Sequence, residues 1–173
     1  AYIDAFMRPV PSTMWMGGRE FETLTGGAVV EPARAEVADV VRGGIMALPA
    51  IVGGSGPFNK RRGGWSTAAD RLSPGARTAA ASLYCALVEA TCLELTGSDG
   101  PILVEGPFSR NRLFLGALAQ LTGRPVSGRP DATGTTGGAA LLASGPNAVR
   151  PDDASPEPVA AFDIDLARYA AQW

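Results

Sequence analysis

The segment Val104-Glu105-Gly106-Pro107-Phe108-Ser109-Arg110-Asn111 has residue types in an order that can hold a ligand. The apolar run 101–105 suits a strand buried on both faces, Gly106 breaks it, and Ser109 can cap a helix that follows. Free N–H groups and the positive dipole end at such a helix start bind anions or the polar edge of a ligand. Open α/β sheets also place ligands beyond the carboxyl ends of their strands. Pro107 has no N–H, so the donors come from Phe108, Ser109 and Arg110. On its own the pattern is common and favours a structural turn over a ligand site.

Two more segments are rich in glycine. Gly134-Thr135-Thr136-Gly137-Gly138-Ala139-Ala140 is neither a dinucleotide fingerprint nor a P-loop, and its spacing favours close packing of a helix on a sheet. No Gly-Lys pair occurs anywhere, which excludes a Walker-type NTPase. Gly53, Gly54 and Gly56 precede Lys60, Arg61 and Arg62, a cluster that reads as a solvated loop or as a basic lip on an anion site. Histidine is absent, so Ser-His-Asp and Cys-His catalysis and imidazole metal sites are excluded. A general base would have to be Asp or Glu. The pairs Glu20/Glu22, Asp152/Asp153 and Asp163/Asp165 read as solvated surface groups. Cys85 and Cys92 are seven residues apart in a helical stretch. That is about 10.5 Å of rise, beyond the roughly 7 Å a disulfide spans. Two free thiols fit a reducing, cytoplasmic setting.

Positioning these groups needs a folded domain, and the composition supplies one. The chain has 173 residues, 46% hydrophobic and 18% charged, enough to bury roughly 70% of its unfolded surface. A net charge of −2 gives no field to attract nucleic acid or an anionic membrane. The longest apolar runs, near 102–104 and 139–143, are too short to span a bilayer, and the opening residues do not form a leader peptide. Fourteen arginines stand against the single Lys60, a bias we ascribe to base composition.

Apolar residues at Val37, Val40 and Val41 predict the first helix, begun near Pro32 and stopped by Gly43-Gly44. A brief strand is expected at 50–52. Ser73-Pro74 opens the longest helix, with Leu83, Tyr84, Leu87, Val88 and Leu95 on a wide apolar face and Gly97 at its end. Phe114, Ala117, Leu118 and Leu121 mark the next helix, Gly123 stops it, and Pro125-Val126 begins an extended piece. One or two helical turns are expected at 138–144, a proline-rich linker at 146–160, and a terminal helix carrying Tyr169 and Trp173. Strands alternating with helices imply an α/β domain. With 36 Gly plus Pro residues and a chain starting Ala-Tyr-Ile-Asp, the sequence reads as a fragment or one lobe of a larger protein.

Several segments, in order, resemble the C-terminal lobe of the FGGY carbohydrate kinases. Pro9-Val-Pro-Ser-Thr-Met-Trp-Met-Gly-Gly-Arg-Glu-Phe-Glu22 is similar to the approach to that lobe, and Leu48-Pro-Ala-Ile-Val-Gly-Gly-Ser-Gly-Pro-Phe58 to its proline-alanine-glycine loop. Leu83-Tyr-Cys-Ala-Leu-Val-Glu-Ala-Thr91 resembles its long helix, and Glu105-Gly-Pro-Phe-Ser-Arg-Asn111 its adenosine motif. Leu118-Ala-Gln-Leu-Thr-Gly-Arg-Pro-Val126 and Gly137-Gly-Ala-Ala-Leu-Leu-Ala143 resemble the two segments that follow. The order and spacing of these matches over about 130 residues carry the resemblance.

The resemblance implies an actin-like ATPase (ribonuclease H-like) α/β fold, a mixed sheet with flanking helices, whose two lobes close over ATP and a sugar. It implies a lead-in over 1–32, the lobe over 33–145, the linker, and a C-terminal helix over 161–173. Gly106, Pro107, Phe108, Ser109 and Asn111 would form the adenosine edge, and Gly53, Gly54 and Gly56 a loop facing the cleft. ATP, with Mg²⁺ carried on its phosphates, would be the cofactor. The partners would be an N-terminal lobe of the same protein, holding the aspartate base, and a small sugar or polyol. A homodimer is left open, and no nucleic acid or membrane partner is expected. No catalytic residue is expected in this chain, which by itself should not transfer phosphate. Pro107 stands where the family usually has a second glycine. That departure keeps a second expectation in view: a non-catalytic sugar- or nucleotide-responsive module of the same fold.

Overall fold

A computed structural model describes residues 2–4, 6–130, 134–145 and 158–173. Most of the Pro-rich linker expected at 146–160 lies outside them.

The organising element is helix α3, Pro74–Thr96. Ser73 Oγ accepts from Ala76 N at 3.1 Å, Pro74 follows at the first helical position, and Gly97 ends the helix in left-handed conformation. Ala79, Ala80, Ala81, Leu83, Tyr84, Cys85, Ala86, Leu87 and Val88 are all buried, so the middle of α3 is covered on every side. The small residues let α1 (Gly17–Thr25), α2 (Arg34–Gly43) and α4 (Arg112–Thr122) approach it closely. By length and composition α3 could cross a membrane, yet 67% of its most apolar stretch is buried within the protein. A helix apolar all round is what a central core helix looks like. Cys85 and Cys92 are both buried and unpaired, and burial pushes both thiols up.

Among the described residues the strands form three two-stranded sheets. β1 (Tyr2–Ile3) pairs antiparallel with β2 (Pro9–Val10), and β3 (Ala47–Leu48) with β4 (Gly64–Trp65). β5 (Ile102–Glu105) lies parallel to β6 (Val126–Arg129), with Ile102 opposite Val126 and Glu105 opposite Arg129. α4 crosses between them. Helix α5 (Gly134–Ser144) follows β6, and α6 (Ala167–Gln172) closes the described chain. Tyr169 Oη donates to Ile45 O at 2.7 Å and Trp173 Nε1 to Ala47 O at 2.8 Å, so the terminal helix docks through both residues expected to dock it.

Five local expectations are corrected. The first helix is α1, not the one after Pro32; Gly17-Gly18 and an inward-facing Glu20 disguise its apolar face. The strand is Ala47–Leu48 rather than 50–52, because the chain turns immediately after Leu48. Strand β5 is not buried on both faces: Ile102 and Val104 pack on the core while Leu103, on the opposite face, is 48% exposed, because successive side chains of a strand alternate between faces. Asn111, not Ser109, caps α4. Helix α5 starts at Gly134, a full turn earlier than its alanine-rich part suggests.

Candidate functional site

The 106–111 turn sits at the carboxyl end of β5 and is closed by its own groups. Gly106 has φ +76°, a conformation costly for a residue with a side chain. Its carbonyl accepts from Ser109 N at 3.0 Å and from Ser109 Oγ at 2.6 Å, winding 107–110 into a short 3₁₀ turn. Asn111 does two jobs: Oδ1 accepts from Phe114 N at 3.0 Å, and Nδ2 donates to Ser82 Oγ on α3 at 2.9 Å. Phe108 stands edge-on to Phe21 of α1 (centroids 5.2 Å apart) and to Phe114 of α4 (5.1 Å). The side chains of Phe108, Ser109 and Asn111 therefore shape the turn from within, while Pro107 is exposed and nothing stands within 4 Å of where a Cβ on Gly106 would be.

The start of α5 comes to the same place. A Cβ at Gly134 would run into the Glu105 carboxylate, so glycine allows the helix to begin directly against the end of β5. The two glycine-bearing motifs, at 106 and at 134–138, thus meet beyond the carboxyl ends of two parallel strands, where α/β sheets hold ligands. Gly137 and Gly138 have no atom within 4 Å of an added Cβ and leave their backbone open to approach.

The third glycine segment, 53–56, lies beside Trp15, Glu20 and Tyr84. Gly54 and Gly56 have φ +83° and +73°. Val52 N donates to Glu20 Oε1 at 2.9 Å, and Gly56 N to Met14 O at 3.0 Å. Lys60, Arg61 and Arg62 are exposed on the same long loop, with the Arg61 guanidinium over the Phe58 ring at 5.5 Å. A groove of about 650 Å³ runs along the open edge of β5, lined among others by Trp15, Leu103, Glu105 and Phe108.

Sequence reasoning missed Glu20, read above as a solvated surface group. It is 2% exposed and bonded to the Tyr84 hydroxyl as well as to Val52 N. The available signal was its helical spacing: Glu20 stands four residues before Leu24 and beside Phe21, on the apolar side of α1. No group of three metal-ligating side chains occurs among the described residues.

A family model described as carbohydrate kinase FGGY, C-terminal domain, matches residues 1–151. Among solved structures, the chain is similar to a carbohydrate kinase from Novosphingobium aromaticivorans, with 36% identity and a TM-score of 0.82, over 99% of this chain and 38% of that one. It also resembles xylulose kinase from Rhodospirillum rubrum in fold, with 18% identity and a TM-score of 0.57, over 90% of this chain and 34% of that one. The chain therefore spans little more than a third of the length of these kinases. No curated protein matches it.

Proposed function

Since the chain belongs to the FGGY carbohydrate kinases, a family of phosphotransferases with an actin-like ATPase fold, we propose that it is the nucleotide-binding part of an ATP-dependent sugar or polyol kinase. The observation that carries this reading is the meeting of the Gly106 turn with the start of α5 at the end of β5. Bound there, ATP would supply the phosphoryl group, and Mg²⁺ would offset the charge that builds up as it moves.

The residues present fit a nucleotide. The open backbone at Gly106 and Pro107 offers an edge for the adenosine, shaped from behind by Phe108, Ser109 and Asn111. A phosphate at the first amides of α5, at its positive dipole end, would have to displace the Glu105 carboxylate that now stands against Gly134. Gly53, Gly54 and Gly56 form a loop toward the cleft, with Lys60, Arg61 and Arg62 as a basic rim. Mg²⁺ keeps most of its waters and rides on phosphate oxygens, so it does not need the cluster of carboxylates that is absent among the described residues. This chain orients the donor and takes no catalytic role. The base that orients the sugar hydroxyl, and the sugar pocket, belong to an N-terminal lobe.

Pro107 favours a second reading, a nucleotide- or sugar-responsive module that has lost transfer, because proline removes a donor from the adenosine edge. One experiment separates the two. The intact protein is titrated with a non-hydrolysable ATP analogue, then assayed with ATP over pentuloses, hexuloses and polyols. Binding with turnover of at least one sugar is expected. Binding without turnover selects the responsive module, and no binding at millimolar nucleotide defeats the kinase and any nucleotide-responsive module, leaving only a sugar-responsive one.

A further inference from the structure

Helix α1 places two adjacent residues on the two glycine segments of the proposed site. Phe21 packs edge-on against Phe108 of the 106–111 turn. Glu20 reaches the other way and accepts from Val52 N at 2.9 Å, at the point where the 53–56 loop begins. Its second oxygen accepts from the Tyr84 hydroxyl on α3. Tyr84 is 1% exposed, and burial first, then its bond to Glu20 and that residue's charge, push its hydroxyl well above the ordinary tyrosine range, so it stays a donor. Trp15 closes the far side of the loop. A Cβ on Gly56 would stand 2.9 Å from the Cβ of Trp15, and the indole N–H is itself held by Glu89 at 2.9 Å. Ser55 Oγ is buried without a hydrogen-bond partner among the described residues, beside a cavity of about 10 Å³ that Glu20 and Tyr84 also line, space for about one water.

A buried carboxylate with no cation against it among the described residues is a poor way to stabilise a core, because an apolar residue of similar volume packs there without the desolvation cost. What Glu20 does that an apolar residue does not is hold a backbone N–H of a loop. We propose that Glu20, oriented by Tyr84, is a positioning residue that pins Val52 and so fixes the 53–56 loop in the conformation that receives the nucleotide. The pinning stands on geometry alone; its effect on nucleotide affinity rests on the function proposed above.

The test measures hydrogen exchange and steady-state kinetics on the intact protein and its Glu20→Gln and Tyr84→Phe variants. In the glutamine variant Oε1 can still accept from Val52 N while the amide N–H₂ donates to the Tyr84 hydroxyl, so both contacts persist but the charge-assisted bond to Val52 becomes a weaker neutral one. The Phe variant keeps the Val52 bond but frees the carboxylate to swing. Expected in Glu20→Gln is a tenfold or greater loss of protection over 52–56, with α3 and 106–111 unchanged. KM for ATP should rise about tenfold, with KM for the sugar and kcat within about twofold. Tyr84→Phe should show the same pattern at smaller amplitude, and it carries the test if Glu20→Gln does not fold. Unchanged protection at 52–56, or an equal loss along α3, overturns the proposal. Loosened 52–56 amides with an unchanged KM for ATP overturn its nucleotide half and remove the loop from the site. If the wild-type protein binds no ATP, the proposed function fails while the exchange data still decide the pinning.

Discussion

The 106–111 turn closes largely on itself, whereas the 52–56 loop is held from outside. In the turn, Ser109 bonds back to Gly106, three residues away, and Asn111 caps the helix it begins. In the loop, the nearest side-chain anchor is Glu20, 32 residues upstream, and that anchor is itself set by Tyr84 on another helix. Both segments use glycines at positive φ, and α1 touches both, so local composition does not separate them. What separates them is whether their geometry survives loosening of the helices around them. A self-closed turn keeps its shape; a loop pinned across the core follows the state of the core.

Alkaline pH should break the comparison most strongly. Burial raises the hydroxyls of Tyr84 and Tyr169 above the ordinary value near 10 and the thiols of Cys85 and Cys92 above the ordinary value near 9. For a group whose value is raised on folding, the native state holds the proton more tightly. The stability it contributes is complete below the unfolded value and is lost as pH rises toward the folded one. Each such group costs about 1.4 kcal/mol per pH unit inside its window. Urea midpoints should therefore be flat to about pH 9, fall above it, and fall more steeply above about pH 10. Ionised Tyr84 would also face the Glu20 carboxylate with like charge, so the 52–56 amides should lose protection before those of 106–111. A midpoint that holds steady to about pH 11 would contradict the burial of all four groups.

Asn111→Ala strikes the other region and should have an intermediate effect. It removes the cap of α4 and leaves Ser82 Oγ without the donor it now has from α4's first turn. Loss of such a cap costs about 0.5–2 kcal/mol. With the lost bond to α3 the total should approach 2 kcal/mol by urea unfolding. Asn111→Asp keeps the cap acceptor but not the donor and should recover about half of it. Exchange over 52–56 should not respond to either variant, and a response there would show that the two segments are coupled through α3.

The same division explains how much could be read from the sequence. Helix α3 was legible at both ends because its signals are local: Ser73-Pro74 at the start and Gly97 in left-handed conformation at the stop. Gly44 and Gly123 ended α2 and α4 in the same way. The turn at Gly106 was legible as a turn, but its bonding was not. Whether Ser109 or Asn111 caps the next helix depends on a 3₁₀ segment that no periodicity marks. Glu20 was illegible in principle from polarity, since a carboxylate is read as outward until its partners are known, and both of them come from distant elements. The meeting of Gly134 with Glu105 was hidden for the same reason: two segments widely separated in sequence touch because β5 and β6 are parallel neighbours.

The smallest expected effect sharpens the contrast most finely. Ser109 donates twice to the Gly106 carbonyl, through its amide at 3.0 Å and its hydroxyl at 2.6 Å. Ser109→Ala deletes only the second bond, and the carbonyl keeps a partner. A net hydrogen bond contributes about 1 kcal/mol, and no buried group is left unpaired by this change, so the loss should stay at or below about 1 kcal/mol. Ser109 is buried, and alanine loses little apolar contact there, so packing should not add to the figure. Nucleotide affinity should move less than threefold, because the 3₁₀ turn is still closed by its backbone and by Asn111. A loss above about 2 kcal/mol, or a tenfold loss of affinity, would mean that the hydroxyl, rather than the backbone, holds the turn. The turn would then be as dependent on a single side chain as the 52–56 loop is on Glu20, and the difference between the two regions would disappear.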